Sequence, residues 1–122
     1  MSKRIVGILG AMPQEVDDVI RLLKNAQEFS FGMRTYISGQ INGTDAVVVF
    51  SRWGKVAAAA TVSALIHHFA VTEIIFTGVA GAIDPKLKIG DIVIGRRLIQ
   101  HDIDARPLMQ RFEVPLLSKT YF

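Results

Sequence analysis

Ile5-Val6-Gly7-Ile8-Leu9-Gly10-Ala11-Met12-Pro13-Gln14-Glu15-Val16 is the stretch on which the fold turns. Ile5 to Leu9 is an unbroken apolar run, the pattern of a strand buried on both faces and hence of a parallel or mixed sheet. Gly10-Ala11-Met12 makes a tight loop, and Pro13 suits the first helical position, where a backbone N–H would have no partner anyway. Val16, Val19, Ile20 and Leu23 then recur at helical spacing, which predicts an amphipathic helix to about Asn25. Strand, loop and helix in this order open an α/β protein.

Further along, Phe29 to Gln40 and Ala46 to Phe50 read as two strands, and Asn42-Gly43 between them is a strong hairpin signal that pairs them antiparallel. Gly54 introduces a helix over Lys55 to Phe69, whose alanines predict close packing and a largely buried position. Glu73 to Phe76 is a short apolar strand closing in Thr77-Gly78-Val79-Ala80-Gly81, small residues that let backbone approach a ligand or a neighbouring strand. Asp84-Pro85 and Gly90-Asp91 turn the chain, and Ile92-Val93-Ile94 predicts a strand continuing toward Gln100. From His101 the pattern fades. Strands and helices in alternation predict an α/β sandwich with helices on both faces of a mixed sheet, and ligands at the carboxyl ends of its strands. The loops after Leu9 and Phe76 are therefore the ones to read for chemistry.

Composition narrows the classes. Half of the 122 residues are hydrophobic and the net charge is +3, as in a globular domain. The Lys and Arg residues are scattered, with no basic patch for nucleic acid. Without cysteine there is no disulfide framework, thiolate metal site or cysteine nucleophile, which fits a cytoplasmic protein. The apolar run at Ile5–Leu9 is too short for an export signal or a membrane span. His67 and His68 are adjacent on a helix and point apart, and no metal is called for. The loop after Leu9 lacks the glycine pattern of a dinucleotide site, and Gly54-Lys55 lacks that of a phosphate loop, so no cofactor is called for either.

Glu15 stands in the first turn of a helix that follows a buried strand. Helix amino termini attract anions, and phosphate-binding proteins leave that space open; here the chain fills it with its own carboxylate. A carboxylate accepts a proton from water but repels phosphate, which favours water as nucleophile. The alternative is that Glu15, with Asp17 and Asp18, only complements the helix dipole. Gly78 and Gly81 likewise either admit a sugar or base, or simply end a strand.

Taken together, these segments resemble one family. Gly10-Ala11-Met12-Pro13-Gln14-Glu15 is similar to the Gly-Ala-Met-x-x-Glu opening of the bacterial methylthioadenosine/S-adenosylhomocysteine nucleosidases. Ser51-Arg52-Trp53-Gly54-Lys55-Val56-Ala57-Ala58, Thr77-Gly78-Val79-Ala80-Gly81, Leu87 to Val93 and His101-Asp102-Ile103-Asp104 resemble later motifs of that family, in the same order. The resemblance implies a nucleoside-phosphorylase-like three-layer sandwich around a mixed sheet, incomplete in this chain. It also implies hydrolysis of the N-glycosidic bond of a 5′-thio-substituted adenosine by a homodimer that binds a small nucleoside. Glu15 matches the glutamate that activates water. Met12, Val79, Ala80, Gly81 and Trp53 match positions around the nucleoside.

Two positions depart from the family. Val79 stands where many members have a serine facing the ribose, and Trp53 replaces an aliphatic residue beside the substrate, so another 5′-substituent is open. After Asp104 the sequence leaves the pattern in the region that serves a neighbouring subunit's pocket, with Leu108 the nearest equivalent. The resemblance covers residues 1–122 as the amino-terminal part of a single domain and only the first half of the family's length. The glutamate that holds the ribose hydroxyls and the aspartate that protonates the purine are expected in a carboxyl-terminal half absent here, so the chain alone is expected to be inactive. Two alternatives remain open: another nucleosidase or phosphorylase of the superfamily, futalosine-type or purine, and a non-enzymatic assembly module.

Overall fold

The computed structural model describes residues 3–122, which fall into two compact units, one reaching to Gly81 and one running from Ala82 to Phe122. The first unit is built on β1 (Ile5–Gly10), which is followed by α1 (Gln14–Arg21), β2 (Lys24–Phe31), β3 (Arg34–Ile41), β4 (Thr44–Phe50), α2 (Lys55–Phe69) and β5 (Glu73–Phe76). The strands form one mixed sheet in the order β2-β3-β4-β1-β5. β1 pairs in parallel with β4 and β5, while β2, β3 and β4 form an antiparallel meander. This is the mixed α/β sheet expected from the apolar run at Ile5.

Successive residues of a strand face opposite sides, and the two glycines of β1 show what covers each. A Cβ at Gly7 would stand 3.1 Å from Leu65 of α2, and one at Gly10 would stand 3.0 Å from Val16 of α1. The helices therefore lie on opposite faces, as expected. On the α2 face, Leu9, Tyr36, Val47, Val49, Leu65 and Val71 form the core. Aromatic rings extend it: Phe31 stacks on Tyr36 at 4.3 Å, and Phe69 meets Tyr36 at 5.3 Å. His68 lies against Phe31, with ring centroids 4.6 Å apart.

Four expectations are corrected. The helix stops at Arg21 rather than near Asn25, because Leu23 packs beside Gly39 and Lys24 pairs with Gln40 as β2 begins. Strand pairing overrides the helical period there. Phe29 to Gln40 is two strands, divided at Gly32-Met33, where φ is 57° at both residues. Two consecutive left-handed residues make a tight hairpin turn, and Gly-Met is a poor signal for one. α2 has the expected bounds but is largely exposed: Thr61 and Leu65 are buried, while Val56 is 85% exposed. An apolar helix surface is covered only along the stripe that faces the sheet.

The fourth correction falls in the second unit. Ile92-Val93-Ile94 forms no strand, and these residues are 93%, 67% and 89% exposed. A β-prone run without a hydrogen-bonding neighbour has nothing to hold it extended. The unit is built from turns instead. Asp84 accepts the Lys86 N–H at 2.9 Å, Asp91 accepts that of Lys88 at 2.8 Å, and Leu98 and Phe122 exchange backbone hydrogen bonds. No helix of the described residues is long and apolar enough to cross a membrane.

Candidate active site

The parallel strands β4, β1 and β5 end level with one another: Gly10 pairs with Phe50, and Leu9 with Phe76. Three loops that are far apart in sequence therefore leave the sheet side by side. One is Ala11 to Pro13, leading into α1; the second is Ser51 to Gly54, leading into α2; the third begins at Thr77.

Glu15 joins two of them. Its backbone N–H donates to the Met12 carbonyl at 3.1 Å, and its side chain folds back so that Oε2 accepts the Met12 N–H at 2.8 Å. This reciprocal arrangement satisfies one of the donors that a helix start leaves free. The other oxygen, Oε1, accepts the Val79 N–H at 3.1 Å across 64 positions of sequence. A residue that served the helix dipole alone would need only the first contact. The approach is close enough that a Cβ at Gly78 would stand 3.0 Å from Oε1. Each oxygen retains a lone pair for a further donor.

Met12, Glu15 and Val79 are thus brought together, with Ala80 and Gly81 continuing the third loop. Val79 is 81% exposed, and Ala80 and Gly81 are exposed with it. Trp53 lies on the middle loop, 77% exposed, between two residues of positive φ, Arg52 at 68° and Gly54 at 93°. A concavity of about 540 Å³ in the second unit is lined by Arg106, Pro107, Leu108, Met109, Gln110 and Glu113, and includes none of these residues.

The sequence alone assigns no role to Ser51 or Arg34. Ser51 is wholly buried at the end of β4 and bonds to Gly10 at the end of β1. Arg34 donates to the carbonyls of Gly32 and Ser51 at 2.9 and 3.3 Å, tying the β2–β3 turn to the middle loop. A hydroxyl immediately after the buried run Val47-Val48-Val49-Phe50 is the one signal that pointed to Ser51. Nothing local in the sequence marks Arg34.

Comparison with known proteins identifies the family. A family model described as the phosphorylase superfamily matches residues 5–122. The 5′-methylthioadenosine/S-adenosylhomocysteine nucleosidase of Shewanella denitrificans is 46% identical over 99 residues, covering 81% of this chain and 43% of that protein. An aminodeoxyfutalosine nucleosidase of Campylobacter jejuni is 34% identical over the same number, 99 residues, with coverage of 81% and 43%. Among solved structures, the 5′-methylthioadenosine/S-adenosylhomocysteine nucleosidase of Colwellia psychrerythraea in complex with adenine superposes with a TM-score of 0.92. It is 35% identical, and the match covers 99% of this chain and 50% of that one. The chain thus spans less than half the length of the curated relatives it matches, 43% in both cases. With its level strand ends, its Glu15 loop and a match running from Ile5 to Phe122, the chain belongs to the phosphorylase superfamily, in which it is similar to the methylthioadenosine/S-adenosylhomocysteine nucleosidases.

Proposed function

We propose that this protein serves hydrolysis of the N-glycosidic bond of 5′-methylthioadenosine and S-adenosylhomocysteine, releasing adenine and the thio-ribose. The observation that carries the reading is the hydrogen bond from the Met12 N–H to Glu15, because it fills the helix start with the chain's own anion. A phosphorylase needs that kind of place for phosphate, and phosphate brought beside Glu15 would meet like charge. Water meets an acceptor instead. In the reaction, the water oxygen bonds to the anomeric carbon, its proton passes to Glu15, and the electron pair of the C–N bond leaves with adenine. Protonation of the departing adenine is assigned to no residue of this chain.

Within this reading, Met12, Val79, Ala80, Gly81 and Trp53 line the nucleoside, and residues 1–122 form part of a single nucleosidase domain. The resemblance also supports a homodimer in the cytoplasm working in methionine salvage. The experiment follows adenine release from methylthioadenosine by the complete protein, with and without phosphate. Glu15→Gln should lower kcat by about 10² to 10⁴, the usual contribution of a positioned general base. Full activity in that variant, or release that depends on phosphate, would refute the mechanism. A futalosine-type substrate is the second reading, favoured by the Campylobacter jejuni relative and by the departures from the family pattern at Val79 and Trp53. Comparing kcat/KM on the two nucleosides decides between them.

A further inference from the structure

Ser51 and Thr61 are the wholly buried polar side chains of the described residues, each at 0% exposure. A buried hydroxyl is costly unless bonded, so where its hydrogen goes is informative. The Ser51 hydroxyl lies 3.0 Å from the Gly10 carbonyl and 3.0 Å from that of Arg52. Its backbone N–H also donates to Gly10, at 2.9 Å. The backbone N–H and a hydroxyl whose single hydrogen is shared with the Arg52 carbonyl thus converge on the last carbonyl of β1. That carbonyl belongs to the peptide joining Gly10 to Ala11, which starts the loop to Glu15.

Gly10 is also pressed against the site itself. A Cβ there would stand 2.9 Å from the Glu15 Cβ and 3.2 Å from the Thr77 carbonyl, which opens the loop carrying Val79. Ser51 in turn is braced from behind, its own carbonyl accepting Arg34 at 3.3 Å and lying 3.4 Å from the Thr61 hydroxyl. Thr61 gives its hydrogen to Ala57 at 2.8 Å, so Arg34 supplies the firmer brace.

We propose that Ser51 is a positioning residue for Glu15. Its hydroxyl, reinforcing its own backbone N–H, steadies the Gly10–Ala11 peptide plane, the Glu15 stem rests on Gly10, and the carboxylate is thereby held between the amides of Met12 and Val79. The kinetic part rests on the nucleosidase reading above; the structural part does not.

The test uses the complete protein in a double-mutant cycle of Ser51→Ala with Glu15→Gln, together with hydrogen exchange at the Met12 and Val79 amides. Ser51→Ala should lower kcat about tenfold, the scale of one lost hydrogen bond, and leave KM within about twofold. In the Glu15→Gln background the same change should cost less than about twofold, because the group it positions is gone. Exchange at both amides should quicken about tenfold while the β3–β4 pairing stays protected. Equal losses in the two backgrounds, or unchanged exchange, would overturn the proposal and leave Ser51 as a buried residue that only stabilises. If the unmutated protein releases no adenine, the nucleosidase reading fails and the exchange measurement alone decides on Ser51. Should Ser51→Ala not fold, Ser51→Cys takes its place, since it keeps a weaker donor at the same position, and a smaller loss in the same pattern is expected.

Discussion

Glu15 makes one hydrogen bond that any helix start would welcome and one that only this fold supplies. The second, from Val79, arrives beside a glycine that leaves almost no spare room. In Gly78→Ala the new methyl meets Oε1 at 3.0 Å, and the carboxylate yields only by stretching one of its two bonds. That variant should lose about tenfold in kcat, the worth of one such bond, with a melting temperature close to that of the parent. Normal kcat in Gly78→Ala would show that the Val79 contact does not matter to the reaction. Asp104 carries a different consequence. Hydrogen bonds from Arg106, with the charges of Arg106 and Arg111, lower its pKa from the ordinary 3.8 to about 2. Its contribution to stability is complete above the ordinary value and fades as the pH falls toward about 2. Acid titrations followed by circular dichroism should therefore be flatter over that interval for Asp104→Asn. The pair is partly exposed, so salt should shrink the difference.

Among the elements, those with strong local signals were legible and those decided by neighbours were not. β1, β5, the Asn42-Gly43 hairpin and both bounds of α2 follow from apolar runs and glycines in the chain itself. The turn at Gly32-Met33 and the early stop of α1 do not, because each depends on pairing with β3. The site shows the same division. Glu15 was visible as an acid at a helix start and as a motif match, whereas the Val79 amide, Ser51 and Arg34 enter only once the parallel strands stand level. Gly54 is the clearest case of a local signal with a structural cause. It precedes α2 at φ 93° and ψ 156°, a conformation essentially reserved for glycine, and a Cβ there would meet nothing within 4 Å. Gly54→Ala should thus cost about 1–3 kcal/mol from the backbone alone, measured by urea unfolding. A neutral result would mean that the loop around Trp53 relaxes freely.

For the whole molecule, the distribution of apolar surface matters more than any one contact. Ile74, Ile75 and Phe76 are 39%, 50% and 59% exposed on β5, an edge strand whose one charged residue, Glu73, is paired with Arg4. Natural edges are usually blunted by charge, as β2 is by Lys24 and Glu28. The 122-residue chain by itself should accordingly self-associate as its concentration rises, read by sedimentation velocity, and Ile75→Lys should reduce the effect. A chain that stays monomeric at all concentrations would show that this edge is harmless. The opposite property belongs to the Asn42-Gly43 turn, which sits at the amino ends of the parallel strands, where Ile5 pairs with Asp45. A six-residue strand separates it from the Glu15 loop, a span of about 20 Å at the usual rise per residue. A fluorophore or short epitope grafted at that turn would ride on the sheet at a distance from the chemistry, giving the molecule a handle for labelling or capture that leaves the Glu15 loop untouched.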